Sequence, residues 1–181
     1  MTTYISLLRG INIGGHKKIK MDALRQMYSG LGFLKVQSYI QSGNVIFQSA
    51  ETDISLLEKS ISNRILETFG FEVPALILTI NELSTALKNS LFINNPNKDP
   101  TRMHLTFLSK IPDKSALDKI SPAYYAPDEF CVNGKIIYNY CPNGYGNTKL
   151  TSNFFESKLK VIASSRNLKT SIELLDIATK V

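Results

Sequence analysis

The sequence predicts an α+β fold of two ferredoxin-like subdomains, each with the split β-α-β arrangement of an α/β plait. The chain has 181 residues, 43% hydrophobic and 20% charged, which fits one or two globular domains. Stretches whose apolar residues have the spacing of a strand or a helix follow one another in the order β-α-β-β-α-β over about eighty residues. The same order begins again after the polar, turn-rich stretch Asn94–Pro100. We therefore expect subdomains at residues 1–80 and 102–181, joined by a helix and polar linker over 81–101.

The first half contains four predicted strands and two predicted helices. Short apolar runs predict the strands, and Pro74 favours an edge position or a strand start for the fourth. Apolar residues at three- and four-residue spacing predict the helices, the longer one capped by Asp53 and ended by Gly70. The predicted elements are, in order, Tyr4–Leu8, Met21–Leu31, Val36–Ile40, Asn44–Gln48, 54–69 and Val73–Leu78.

The second half repeats this pattern less clearly, after a short helix over Glu82–Asn89. Capping-box spacing predicts one helix at Asn153, with Glu156, and a last helix at Thr170, with Glu173. In place of a clear final strand there is only Ser164–Lys169. The predicted elements are Met103–Leu108, Asp113–Ile120, Phe130–Val132, Lys135–Cys141, Asn153–Ala163 and Ile172–Thr179.

The two cysteines, Cys131 and Cys141, flank the hairpin of the second half. Asn133-Gly134 is a signal for a two-residue turn, and this turn would place Cys131 opposite Ile136. A Cys131–Cys141 disulfide would contradict that register, and two separate thiols are typical of a reducing compartment. The sequence has no apolar run long enough to span a membrane and no pattern of a secretory leader. We therefore expect a cytoplasmic protein that does not enter the membrane.

The net charge of +6 is unevenly distributed along the chain. Residues 1–50 contain six Lys and Arg against one acid, and 149–181 contain six against three, whereas 51–148 contain nine against eleven. If the fold brings the two ends together, they would form one basic face that attracts phosphates. The alternative is a solvated surface that only keeps the protein in solution.

The stretch Leu8–Lys20 carries the strongest chemical signal, because glycines and cations follow a buried strand. Glycine lets backbone N–H groups turn toward an anion, and arginine can hold a phosphate or carboxylate in bidentate fashion. Neither GxxxxGK[ST] nor GxGxxG occurs, so this is no standard nucleotide motif. The alternative is a flexible basic turn. The residues that we predict to bind a ligand here are Arg9, Asn12, Gly14, Gly15, Lys18 and Lys20.

Three further polar segments are candidates for the same ligand. The turn at Gln41–Asn44 offers amides and a hydroxyl, although this composition is also ordinary turn chemistry. The glycine-rich loop Asn143–Lys149 precedes a helix and repeats the anion-binding pattern. In Ser164–Asn167, the last two residues have no evident structural role. The predicted ligand-binding residues in these segments are Ser42, Asn44, Lys149, Asn153, Arg166 and Asn167.

Signatures of catalysis and metal binding are weak. His16 lies in the basic loop and His104 in a strand, and neither has a metal-ligand partner at useful spacing. We therefore predict no metal and no cofactor, and we identify no catalytic residue. RNA-recognition domains stack bases on aromatic residues of their strands, and this chain has Asn44 and Ile46 at the corresponding positions. Sequence-specific RNA binding of that kind is therefore not favoured. Looser binding of a nucleotide or nucleic acid stays open.

These segments resemble a bacterial family of unknown function whose members carry LLRGIN(V/I)GG, YIQSGNV and TxRNWxT motifs. The matches are Leu7–Gly15, Tyr39–Val45 and Ser164–Thr170, and Lys149–Glu156 is similar to a further segment with Ser152 as an extra residue. The resemblance implies a cytoplasmic protein with two ferredoxin-like subdomains, and it implies no activity.

The chain departs from the C-terminal motif of this family at Leu168, where the motif has tryptophan. Ser164-Ser165 also replace the more usual Thr/Ala pair. If the family binds a base or sugar through that tryptophan, this member would bind it more weakly.

The function that these features favour is binding of an anionic or phosphate-bearing ligand, a nucleotide or nucleic acid, at one basic face shared by both subdomains. One alternative is a transferase or hydrolase acting on a phosphate-containing substrate, with Lys18, Lys149 or Arg166 stabilising phosphate charge. Another is a protein–protein interaction module that uses an exposed strand edge. The oligomeric state cannot be read from the sequence.

Overall fold

Each half of the chain folds around a four-stranded antiparallel sheet in the computed structural model, which describes residues 1–90 and 92–181. The first unit consists of residues 1–84 and 173–181, and the second consists of residues 85–172. The chain leaves the first unit within α3 and returns to it within α6, the helices Ile80–Lys88 and Leu168–Lys180. Residue 91, within the predicted connection 81–101, lies outside the described residues.

The first unit has the predicted element order and the strand order β2-β3-β1-β4. The edge strand β4 begins directly after Pro74, in agreement with the restriction that proline places on sheet pairing. Asp53 accepts hydrogen bonds from the backbone N–H groups of Ser55 and Leu56, and Gly70 ends α2 with a φ of +79°. The elements are β1 (Thr2–Leu8), α1 (Met21–Gly30), β2 (Leu34–Tyr39), β3 (Asn44–Ser49), α2 (Ile54–Phe69) and β4 (Ala75–Thr79).

The core of the first unit lies between its sheet and the helices α1 and α2. Apolar side chains of alternate positions on β1 and β3 face these helices. Phe47 is at the centre, with its ring 5.7 Å from that of Tyr4 and 4.4 Å from that of Phe33. This apolar packing holds the loops at the ends of β1 and β3 in place.

The second unit repeats the order, and its strands are arranged as β6-β7-β5-β8. The last strand, which the sequence indicated only weakly, is formed and pairs with β5 along its length. The α+β fold class is therefore confirmed, with one antiparallel sheet in each unit. The elements are β5 (Met103–Leu108), α4 (Lys114–Leu117), β6 (Glu129–Asn133), β7 (Ile136–Tyr140), α5 (Ser152–Leu159) and β8 (Ala163–Asn167).

The predicted register of the β6–β7 hairpin is wrong, because each residue of β6 pairs two residues further along β7 than expected. Asn133 pairs with Ile136, so Cys131 lies opposite Tyr138 and not opposite Ile136. The pairing leaves Gly134 and Lys135 as the two turn residues, and Gly134 adopts a φ of +59°. The carbonyl of Lys135 accepts a hydrogen bond from the backbone N–H of Leu108 on β5. Cys131 and Cys141 are both free thiols.

Two helix starts also differ from the predicted caps. Thr151 caps α5 by accepting a hydrogen bond from the backbone N–H of Phe154. The side chain of Asn167 accepts from the backbone N–H of Thr170, so α6 begins four residues before the predicted Ile172. Both residues are among the best N-caps, and the sequence contained two competing signals within each segment. None of the helices in the described residues combines the length and apolar character needed to cross a membrane.

Candidate functional site

The glycine-rich loop of the first unit is a tight hairpin. The backbone N–H of Asn12 donates to the carbonyl of Lys17 at 3.2 Å, and that of His16 donates to the carbonyl of Ile13 at 3.0 Å. Gly14 and Gly15 form its tip with φ of +58° and +80°, a region that favours glycine. Two of the loop amides are therefore bonded inside the hairpin, which leaves fewer N–H groups for an anion than the sequence suggested.

The side chain of Asn12 anchors this hairpin. Its Nδ2 donates to the carbonyls of Ile19 at 3.0 Å and Gln41 at 2.9 Å, and its Oδ1 accepts from the backbone N–H of Ile19 at 2.9 Å. These bonds join the loop to the turn before β3. The amide that we predicted to bind a ligand thus has a structural role in the loop itself.

The positive charge of the loop is carried by exposed lysines. Lys18 and Lys20 are exposed, and neither forms an ion pair with any residue that the structure describes. The Nζ of Lys17 donates to the carbonyl of Glu72 at 2.6 Å. Arg9 is partly buried, and its backbone N–H donates to the carbonyl of Pro74. Lys18 and Lys20 are therefore the loop cations open to an anion from solvent.

The turn at Gln41–Asn44 is built for close packing. A Cβ on Gly43 would lie 2.7 Å from the Cβ of Leu8, and the φ of Gly43 is +75°. Asn44 is fully buried, and its Nδ2 donates to the carbonyl of Tyr39 and to the Oγ of Ser42. Ser42 and Asn44 therefore close the turn, and Asn44 has no exposed surface for a ligand.

The C-terminal predicted residues of the second unit have different environments. Arg166 is 9% exposed, and its guanidinium donates to the Oγ of Ser164 and the carbonyl of Ser165. Asn167 caps α6, which is the structural role that the sequence did not reveal. Asn153 is exposed in the first turn of α5.

Lys149 lines a cavity of about 220 Å³ in the second unit. Lys149 is exposed, and it forms no ion pair within the described part of the chain. The Nδ2 of Asn147 donates to the carbonyl of Asn143 at 2.8 Å, which stabilises the loop. Asp128 accepts a hydrogen bond from the hydroxyl of Thr148 at 2.6 Å. The lining consists of Tyr124, Tyr125, Ala126, Pro127, Asp128, Asn143, Asn147 and Lys149.

A buried polar cluster occupies one end of the sheet of the second unit. His104 on β5 pairs directly with Asn139 on β7, so their side chains lie on the same face. Asn139 is fully buried, and its Nδ2 donates to the Oγ1 of Thr106 at 2.9 Å. Hydrogen-bonded hydroxyls continue the cluster, from Thr106 to Ser165 at 2.6 Å and from Ser165 to Ser152 at 2.8 Å.

Two polar atoms of this cluster are buried without a hydrogen-bond partner among the described residues, namely His104 Nδ1 and Asn139 Oδ1. The ring of Tyr145 covers His104 in a stacked arrangement, with centroids 4.3 Å apart and planes at 21°. Burial lowers the pKa of His104, and a backbone hydrogen bond with Arg102 partly offsets this effect. Lowering the pKa favours a neutral imidazole at this position.

The structure brings some of the predicted residues together, and it places Lys149 in the lining of a cavity. In the first unit, the hydrogen bond from Asn12 to Gln41 joins the loop to the Gln41–Asn44 turn. In the second, Lys149 meets Asn143 and Asn147 at the cavity. The prediction of one site shared by both units stays a prediction. The described residues include no cluster of three or more His, Cys, Asp or Glu that could hold a metal.

Sequence reasoning missed Tyr124 and Asp128 of the cavity and the pair His104–Asn139. Tyr124 and Asp128 are 25 and 21 residues from Lys149, and His104 is 35 residues from Asn139. No local pattern connects such residues, because only strand pairing and loop packing bring them together. The one usable signal was the polar character of Asn139 within the otherwise apolar and aromatic strand β7.

Comparison with known proteins places the chain in a family. The chain is similar to the solved structure of the conserved bacterial protein SP0830 from Streptococcus pneumoniae, with a TM-score of 0.72 and 24% identity over 98% of each chain. At this identity the similarity shows the fold alone. No curated protein matches the chain. A family model described as "Protein of unknown function (DUF1697)" matches residues 1–138, and the chain therefore belongs to the DUF1697 family.

Proposed function

We propose that this protein binds a small phosphate-bearing molecule, a nucleotide or a sugar phosphate, in the cavity of its second unit. The observation that carries this proposal is that Lys149 lines the cavity without an ion pair among the described residues. A lysine with no carboxylate partner can form a charge-assisted hydrogen bond with a phosphate oxygen. A recess with a few convergent polar groups is the usual form of a small-molecule site.

The remaining lining residues have complementary roles in this proposal. Tyr124 is 85% exposed and offers an aromatic face to a sugar or base. The carboxylate of Asp128 accepts a hydrogen bond from Thr148 and can accept others from sugar hydroxyls. The amides of Asn143 and Asn147 can donate to or accept from the same ligand. A ligand with both hydroxyl and phosphate groups uses all these residues at once.

The wider form of the proposal includes the exposed cations of the first unit. Lys18 and Lys20 extend from an anchored hairpin and raise the local concentration of anions. A basic face common to Arg9, Lys18, Lys20, Lys149 and Arg166 stays a prediction.

An enzyme that acts on a phosphate-containing substrate is the second candidate, and the presence of Asp128 in the cavity lining favours it. A carboxylate near a bound phosphate ester could accept a proton from an attacking hydroxyl or water, while Lys149 stabilises the developing charge. Phosphate release from the bound ligand, lost in Asp128→Asn with binding retained, would favour this candidate over a binding protein.

Thermal unfolding with defined ligands tests the proposal. We expect AMP or ribose 5-phosphate to raise the Tm of the wild type by about 5–10 °C at a hundredfold excess over Kd. Lys149→Gln should lose this rise, because it removes the charge that contacts the phosphate. Lys158→Gln is the matched control, since Lys158 is an exposed lysine on α5 outside the cavity lining.

Two outcomes would contradict the proposal. The first is an equal rise in Tm for Lys149→Gln and wild type. The second is a rise that every polyanion produces and that 0.5 M salt removes, because a nonspecific charge effect behaves in this way.

A further inference from the structure

Tyr124 is an aromatic residue that the fold exposes at a cavity. Its side chain is 85% exposed, although it belongs to the lining of the cavity that contains Lys149. A lining residue with so much exposed surface stands at the open edge of the cavity. Its ring stacks on no aromatic ring and lies under no cation of the residues that the structure describes. The ring is therefore available to a planar ligand.

The segment that carries Tyr124 is held in place by its neighbours. The ring of Tyr125, the next residue, packs against the rings of Phe130 and Phe154, with centroids 6.4 and 5.2 Å apart. The backbone N–H of Asp128 donates to the carbonyl of Tyr125 at 2.8 Å. One tyrosine of the pair thus anchors the segment, and the other is left exposed. An anchored backbone loses little conformational entropy when a ligand binds, so the exposed ring is pre-organised for a partner.

The cavity is too small to enclose a whole nucleotide. Its volume is about 220 Å³, whereas pockets that bury most of a drug-sized ligand measure roughly 300–1,000 Å³. A ribose phosphate is smaller than the nucleotide, because it lacks the base. A nucleotide that places its ribose and phosphate inside the cavity would therefore leave its base at the open edge, where Tyr124 is exposed.

The charges of the lining fit a single phosphate group. Among the described residues that line the cavity, Lys149 is the one cation and Asp128 the one acid. The Asp128 carboxylate accepts the Thr148 hydroxyl at 2.6 Å, and it has further lone pairs for ribose hydroxyls. One lysine can attract one phosphate, whereas each further phosphate would add negative charge near Asp128 without a second cation in the lining. A monophosphate is therefore a better fit than a triphosphate.

We propose that the ligand of this cavity is a nucleoside 5′-monophosphate whose base stacks on Tyr124. Lys149 contacts the phosphate, and Asp128 accepts hydrogen bonds from the ribose hydroxyls. Stacking on an aromatic ring uses the face of the base, which every base has, so Tyr124 selects nucleotides over sugar phosphates rather than one base over another. This inference rests on the proposed function, because it names the ligand of the same cavity and assigns the recognition of the base to one residue.

Isothermal titration calorimetry of the full chain with AMP and ribose 5-phosphate tests the role of the base, because the two ligands share the ribose and the phosphate. We expect AMP to bind about fivefold to hundredfold more tightly than ribose 5-phosphate, which is the range that one stacked base provides. ATP should bind no more tightly than AMP, because its additional phosphates find no second lysine in the described lining.

Variants of Tyr124 separate stacking from the other contacts. Tyr124→Ala should reduce the preference for AMP over ribose 5-phosphate to about twofold or less, measured on the same variant. Tyr124→Phe should keep the preference, because it retains the ring. Ile111→Ala is the matched control, since Ile111 is 66% exposed and lies outside the lining. Truncation of a side chain as exposed as that of Tyr124 should leave the fold intact.

Three results would overturn this inference alone: equal affinities of the wild type for AMP and ribose 5-phosphate, an unchanged AMP preference in Tyr124→Ala, or tighter binding of ATP than of AMP. In each case, loss of binding in Lys149→Gln would still support the proposed function. Binding of neither AMP nor ribose 5-phosphate, or equal binding by Lys149→Gln and wild type, would overturn the proposed function and this inference with it.

Discussion

The two sheets have the same backbone hydrogen-bond pattern, but one equivalent pair of residues is apolar in the first unit and polar in the second. The N–H of Leu8 donates to Gly43 and that of Leu108 to Lys135, both at 2.8 Å. The next residues, Arg9 and Ser109, donate at 2.9 Å to Pro74 and Ile162. Counting back four residues along β1 and β5 from this common point makes Tyr4 and His104 equivalent.

In the first unit this position is apolar, because Tyr4 pairs with Phe47 and their rings are 5.7 Å apart. In the second unit His104 pairs with Asn139, and each side chain has a buried atom without a partner in the described chain. The same frame accepts both pairs, since strand register depends on backbone hydrogen bonds and not on this one side-chain pair. Sequence choices that weaken a core without structural gain are typical of functional sites, and of the two equivalent pairs only the one in the second unit has this character.

The largest expected effect comes from truncating the apolar pair. Phe47→Ala should lower the free energy of unfolding by about 3–5 kcal/mol, because Phe47 is fully buried among Tyr4, Tyr28 and Phe33. The equivalent Asn139→Leu should lower it by less than about 2 kcal/mol, since the substitution removes the hydrogen bond to Thr106 but also an unsatisfied acceptor. Urea unfolding followed by far-UV circular dichroism measures both, and equal losses would remove the proposed difference between the units.

The turns that receive the equivalent Leu8 and Leu108 hydrogen bonds should also differ. Gly43→Ala should cost roughly 2–4 kcal/mol, because its Cβ would lie 2.7 Å from Leu8 Cβ and its φ is +75°. Lys135 already carries a side chain at the equivalent place, so Lys135→Ala should cost less than about 0.5 kcal/mol. Gly10→Ala is the control, because Gly10 has the same φ but no atom within 4 Å of the new Cβ. Its loss of stability measures the backbone strain alone, and the remainder of the Gly43→Ala loss is due to overpacking.

The caps of the equivalent helices α2 and α5 should show a smaller difference. Asp53 accepts two backbone hydrogen bonds, at 2.8 and 3.3 Å, whereas Thr151 accepts one at 3.3 Å. Asp53→Ala should therefore cost about 1 kcal/mol and Thr151→Ala about half as much. Hydrogen exchange of the first-turn amides in each helix measures these losses, and a larger loss in α5 would reverse the expected order.

The smallest effect is a pH dependence that belongs to the second unit alone. The pKa of His104 is lowered by burial from the usual 6.5, so the unfolded chain binds a proton at a pH where the folded protein does not. Stability should therefore decrease as the pH falls below about 6.5, until the folded-state pKa is passed. His104→Phe, which imitates the aromatic pair of the first unit, should reduce this slope, and His16→Gln should keep it. An unchanged slope in His104→Phe would assign the effect to another group.

The sequence predicted the elements that depend on neighbouring residues. Asp53 and Gly70 mark the ends of α2, and β5 has the predicted bounds Met103–Leu108, because caps and short apolar runs are local signals. The β6–β7 register and the start of α6 were wrong. In each case two local signals competed within a few residues, and the turn formed at Gly134-Lys135 and the cap at Asn167.

The candidate site was predictable only in part. Lys149 lines the cavity, and the lysines of the opening loop are exposed, as the charge distribution along the sequence indicated. The amides of Asn12, Asn44 and Asn167 are engaged in their own loops and caps. Polar residues near glycine serve a turn as readily as a ligand, and composition alone does not separate the two uses.

By itself, the sequence determined the fold class, the order of elements and the basic loop, because periodicity, caps and charge are properties of consecutive residues. The tertiary structure decided which polar groups remain available. Strand pairing joins His104 to Asn139, and loop packing sets Asp128 beside Lys149 in one lining. It also uses Asn12 to hold the glycine-rich hairpin. Availability depends on whether a hydrogen-bonding group finds a partner elsewhere in the chain, and that is settled only when distant residues pack together.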